Sequence, residues 1–159
     1  MPALWKTAHV LSAAIIFGTG LGIAFFTWFG SRAAIRARDI GALRLVMRYT
    51  VVADACFTAP AVAFQAASGA LLVERLGWPQ LSAWTAAVWA LFVLAGFCWI
   101  PVLRIQVLLS RAAQGAASVE ALPGSFHRLF RWWVALGVPA FAAVIAITWL
   151  MVAKPLAVS

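Results

Sequence analysis

Four long apolar runs, at residues 4–29, 49–73, 84–103 and 130–153, divide the chain and constrain it more than any motif does. A hydrocarbon core ~30 Å thick needs about 20 helical residues, so each run is long enough to cross a bilayer, with some tilt. The expected fold is all-α: a four-helix transmembrane bundle forming one domain over residues 1–159. Composition agrees, because 65% of residues are apolar and 10% charged, against roughly 45–50% and 25% in ordinary globular domains. The first run is too long and too evenly apolar for a cleaved signal core, and its basic lead is Lys6 alone. It reads as an uncleaved span. Net charge +8 does not imply nucleic acid, since the basic residues lie between apolar runs and not along one polar face.

Nine of the twelve basic residues fall on one side of such a bundle: Arg32, Arg36, Arg38, Arg44 and Arg48, then Arg104, Arg111, Arg128 and Arg131. The other side holds Lys6, Arg75 and Lys154. The positive-inside rule makes the arginine-rich side cytoplasmic and puts both termini outside, N-out/C-out. Tryptophans mark both interfaces, with Trp5, Trp84 and Trp149 at the outer ends and Trp28, Trp99, Trp132 and Trp133 at the inner ones. Residues 30–48 mix arginines with Ile35, Ile40, Leu43, Val46 and Met47, as expected of a short helix lying in the headgroup region, although Gly41 weakens it. Residues 110–125 read as a mobile cytoplasmic loop.

Polar groups inside the bilayer are costly and face the bundle interior, so function is sought among Lys6, His9, Asp54, Gln65, Arg104 and Lys154. Asp54, six residues into the second span from Arg48, would cost ~2.5–3.5 kcal/mol if ionised and unpaired. Its expected partner is Arg104 in a structural ion pair, with Arg131 second, and a proton-relay carboxylate is the functional alternative. Lys6 and His9 share a helix face, an arrangement suited to a haem ligand beneath a propionate partner or to a histidine bonded to a neighbouring helix. Gly18 and Gly22 suit close helix packing. Pro60, Pro101 and Pro139 are candidate kinks. His127 reads as a surface residue. Cys56 and Cys98 read as small apolar residues. Copper transport needs more soft ligands than this chain gathers, and no hydrolytic triad, Walker motif or zinc spacing is present.

The stretch Trp5-Lys6-Thr7-Ala8-His9, the Ala53-Asp54-Ala55 set with Pro60, Trp99-Ile100-Pro101 and the ending Leu150-Met151-Val152-Ala153-Lys154-Pro155 resemble a family of bacterial predicted four-helix integral membrane proteins. That family is similar to HemJ-type protoporphyrinogen oxidases and CopD-like copper-resistance membrane proteins. The resemblance implies a multi-pass protein of the bacterial inner (plasma) membrane, haem b as cofactor, and matching positions for Lys6, His9, Lys154 and Pro155. After Arg131 the chain reads Trp132-Trp133-Val134-Ala135-Leu136-Gly137-Val138-Pro139 and lacks the Asn-Glu pair of the HemJ pattern. It thus departs from the oxidase pattern and leaves haem binding open. Met151 lies as far inside Lys154 as His9 lies inside Lys6. The expectation is therefore His9 and Met151 as axial ligands, with Lys6 and Lys154 toward the propionates; the alternative for Met151 is plain packing.

Two readings follow. One is a haem b redox protein, a membrane oxidoreductase if it is an enzyme, exchanging electrons with a quinone or porphyrin-like substrate. The other is a non-catalytic membrane scaffold or assembly subunit. The partners expected are the bilayer, that substrate and further copies of the chain in a homo-oligomer, with no nucleic acid. The charge imbalance makes the topology testable with paired reporter fusions. Alkaline phosphatase is expected to be active on the C-terminus and silent within residues 110–125, and the reverse pattern would invert the orientation.

Overall fold

A computed structural model describes residues 2–75, 77 and 82–153. The four apolar runs lie within longer helices. Helix α1 spans Pro2–Arg36 and α2 Ile40–Ala53; a single π-helical turn, Asp54–Thr58, joins α2 to α3, Ala59–Arg75. Helices α4 (Ala83–Gly115) and α5 (Ser125–Ala153) complete the bundle. Four rods, with α2 and α3 counted as one, are long and apolar enough to cross a membrane. Their apolar side chains point outwards: Phe97, Val152 and Leu4 are each about three-quarters or more exposed, as lipid-facing surface requires.

The π turn has a local cause. Proline at position 60 has no N–H, and its ring collides with the carbonyl four residues back, so a regular helix cannot run through it undisturbed. The chain takes up the mismatch by widening, and Ala59 N–H donates to the Asp54 carbonyl, five residues back. Asp54 and Thr58, at the two ends of that turn, are buried.

No separate interfacial helix forms between the first two spans. Helix α1 carries on to Arg36, and the reversal is confined to residues 37–39. Asp39 N–H reaches the Ala34 carbonyl and Arg38 N–H that of Ile35, a Schellman closure that puts Arg38 at φ 54°. Asp39 then caps α2, its carboxylate accepting from Ala42 N–H at 2.9 Å. The amphipathic pattern that suggested a surface helix instead serves the core: Leu43, Val46 and Met47 are buried against Val102, Leu109, Ala113, Phe126 and Trp133.

The connection at 116–124 is tied down. Arg44 reaches across from α2 to donate to the carbonyls of Ala113 (3.2 Å) and Ala116 (2.7 Å), satisfying acceptors that the end of α4 leaves open. Arg38 pairs with Glu120 at 3.5 Å on the surface. The Glu120 backbone N–H, the Ser118 hydroxyl and Arg38 hold the Glu120 carboxyl below its usual range.

Helix packing is uneven along the bundle. Near the arginine-rich end α1, α2, α4 and α5 share one core. At the far end the helices sort into two pairs: α1 packs on α3 and α4 on α5, while α3 scarcely touches α4 or α5. Gly18 and Gly22, expected at a close helix contact, meet nothing there; a Cβ on either would have open space. The close approach is at Gly30, where a Cβ would come within 3.0 Å of the buried Val46 side chain. Gly30→Val should therefore lower stability in detergent by about 1–3 kcal/mol through overpacking, while Gly18→Val leaves it nearly unchanged. Equal Tm for the two variants would contradict the α1–α2 contact.

Candidate functional site

At the far end α1 and α3 are joined by a polar cluster whose hydrogens can be assigned from its connectivity. Ser68 Oγ donates its one proton to the Phe64 carbonyl at 2.7 Å. It is therefore the acceptor for His9 Nδ1–H, also at 2.7 Å. His9 Nε2 is left with its lone pair and accepts from the Gln65 amide at 3.0 Å. Gln65 Oε1 in turn accepts from Ser12. Gly69 makes the close fit feasible, since a Cβ there would stand 3.3 Å from His9 Cε1. Trp5 stacks on Phe64 one turn further out.

This is the interhelical arrangement that a histidine at this depth can adopt, with both ring nitrogens engaged. The other residues expected around a haem are not gathered there. Lys6 is exposed. Met151 lies half-buried in the last turn of α5, which is tied to α4 by the Trp84 indole donating to the Leu150 carbonyl at 2.9 Å. No hydrogen bond among the described residues links Met151 to His9, whose ring is turned to α3. Lys154 and Pro155 lie outside the described residues. His127 is exposed and meets Phe126 edge to face. No group of three or more His, Cys, Asp or Glu side chains able to hold a metal occurs among the described residues.

Asp54 is 3% exposed and accepts one long hydrogen bond, from Trp99 Nε1 at 3.3 Å. The ion pair expected with Arg104 is not formed: Arg104 is exposed on α4, Arg131 is exposed on α5, and the one ion pair within 4.0 Å among the described residues is Arg38–Glu120. The physical reason is direction. The π turn faces Asp54 inwards, whereas both arginines sit on outward faces where the long side chain can reach the headgroups.

Between the two helix pairs runs a cleft of about 550 Å³, walled by Ile16, Trp28, Phe92, Trp99, Trp133 and Phe141 among others. Its polar members are few: Asp54, Thr58, Gln65, Gln106 and Thr148, together with the indole groups. Gln106 is 3% exposed, and no hydrogen bond reaches its side chain among the described residues. The Trp133 indole N–H is buried and unpartnered among the described residues. Pattern reading missed Gln106, which lies beyond the apolar run 84–103, and took Trp133 only as an interfacial tryptophan. The signal available was spacing, since Trp99 and Gln106 are two turns apart on one face.

A four-span all-α fold with an intramembrane cleft and interhelical polar contacts defines an integral membrane protein. The chain belongs to the predicted integral membrane protein family DUF2269, whose model matches residues 3–155. No curated protein and no solved structure matches it, so neither a HemJ-type nor a CopD-like relative is shown.

If the cluster around His9 holds α1 to α3, Ser68→Ala should lower stability in detergent by about 1 kcal/mol, the usual scale for interhelical bonds in membranes. Thermal unfolding checks this. An unchanged Tm would show that the cluster contributes nothing to helix association.

Proposed function

We propose that this integral membrane protein binds a small, flat, largely apolar molecule drawn from the bilayer. The cleft carries the reading. Its volume, about 550 Å³, falls in the range of roughly 300–1,000 Å³ usual for small-molecule sites, and its mostly apolar walls with a few convergent polar groups match their chemistry. A packed bundle fills such a seam with side chains. Here the seam includes Gly96 of α4 and Gly137 of α5, where an added Cβ meets nothing within 4 Å.

A second reading, haem b held on His9, is favoured by the tautomer. Metal-ligating histidines donate their other ring N–H to a fixed acceptor, as Nδ1–H does to Ser68. Nε2 is covered by Gln65, which itself lines the cleft. A swing of that amide would open the lone pair to the cleft. Lys6, with Lys154, would face the propionates, and Met151 would have to leave its place beside α4 to serve as second ligand. Bound haem would supply one-electron chemistry toward a quinone or porphyrin-like partner. In both readings the protein resides in a bacterial inner membrane with its arginine-rich end in the cytoplasm.

Native mass spectrometry of the protein released from its own membranes tests the first reading. One small-molecule adduct per chain is expected, lost in Gly96→Phe, which fills the cleft. Bulk phospholipid alone would leave the scaffold reading in its place. An absorption spectrum of the same sample decides the second reading. A Soret band abolished by His9→Ala supports haem, and colourless protein after expression with ample haem removes it.

A further inference from the structure

We infer that the cleft selects a lipophilic organic cation and that Asp54 is the group that recognises it; this rests on reading the cleft as a binding site. Of the four acidic residues, Asp39, Glu74 and Glu120 lie at helix ends or in a loop, leaving Asp54 as the one carboxylate within the spans. It is 3% exposed and lines the cleft. Oδ1 has the single long bond from Trp99, and Oδ2 has no partner among the described residues. No cationic side chain lies within 4.0 Å of it among them.

An ionised carboxylate held this way, in low dielectric with a neutral indole as its sole donor among the described residues, needs a counter-charge that no described side chain within 4.0 Å supplies. The chain carries an excess of cations yet directs every one of the nine arginine-rich-end residues elsewhere. A cationic ligand would supply that counter-charge. The surroundings suit a positive head on an aromatic or aliphatic body. Trp99 donates to Asp54 and Trp133 lines the same cleft, and indole rings attract a cation as the carboxylate does. Gln106, likewise 3% exposed and without a hydrogen-bond partner among the described residues, offers an amide oxygen in the same lining. Most of the remaining lining, from Gly20 and Phe141 to Ile145, is apolar and accepts the body, with Thr58, Gln65 and Thr148 the polar exceptions. An anion meets repulsion here, and a neutral molecule gains no charge pairing.

The test uses the full chain in micelles of neutral detergent with two fluorescent probes, the cation ethidium and the neutral N-phenylnaphthylamine. Both should bind saturably, one per chain. Asp54→Asn should weaken ethidium about tenfold or more and the neutral probe less than about twofold. Gly96→Phe should remove both. Ethidium bound equally by Asp54→Asn and the parent overturns the cation inference and leaves the cleft reading standing; no saturable binding of either probe to the parent overturns both. If Asp54→Asn fails to fold, the parent chain answers alone. Bound N-phenylnaphthylamine should be displaced by tetraphenylphosphonium and not by the isosteric anion tetraphenylborate, and displacement by the anion as readily as by the cation overturns the inference.

Discussion

Inside a bilayer a hydroxyl, amide or carboxylate has no water to turn to, so each such group must find its partner within the protein or on something the protein holds. Most of the arrangement follows from this demand. Thr27 bonds Thr50 at 2.6 Å and Thr19 bonds Thr58 at 3.2 Å, stitching α1 to the second span. His9, Ser68, Gln65 and Ser12 continue the seam to the far end. These contacts lie along one side of α1. They fix the α1–α3 pair independently of apolar burial, which drives association weakly when the alternative surroundings are lipid tails.

The other pair is held differently. Helices α4 and α5 pack along their length, with Trp84 anchored on the Leu150 carbonyl at the far end. The two pairs meet in the core around Leu43, Met47, Leu109 and Phe126, all nearly inaccessible, near the arginine-rich end. Arg44 adds a polar clasp there by capping α4. Further out the pairs meet where the Phe17 and Phe141 rings stand 5.1 Å apart, and no polar clasp joins them at the far end among the described residues. The cleft is the consequence: two seams closed by polar contacts or close packing, and between them a space lined by Asp54, with its one long bond from Trp99, and by Gln106, with no hydrogen bond among the described residues.

Much of the architecture was legible in the sequence, because hydropathy over 20-residue windows reports the one property that lipid selects. The four helices and the inward placement of His9 and Asp54 follow from that. What was not legible depends on direction. The run 30–48 has an amphipathic pattern that suits either a headgroup helix or the buried end of a span, and periodicity alone does not separate them. Asp54 was assigned to Arg104 by depth along the helices, but depth carries no azimuth, and the π turn set by Pro60 changes the azimuth of everything around it. His9 and Met151 were paired by the same depth arithmetic, and the structure turns His9 towards α3 and leaves Met151 on a helix packed against α4. Gln106 was hidden because Arg104 marks the end of the apolar run, while the helix itself continues to Gly115.

The account stands on the two helix pairs being joined at one end and apart at the other. Pulsed electron–electron resonance in lipid nanodiscs measures this directly, with one label pair at Leu45 of α2 and Leu108 of α4, and another at Glu74 of α3 and Val152 of α5, all exposed positions. The account predicts a short, narrow distribution near the arginine-rich end and a longer, broader one at the far end. The same short, narrow distances at both ends would show four helices closed evenly around a filled core and would contradict it.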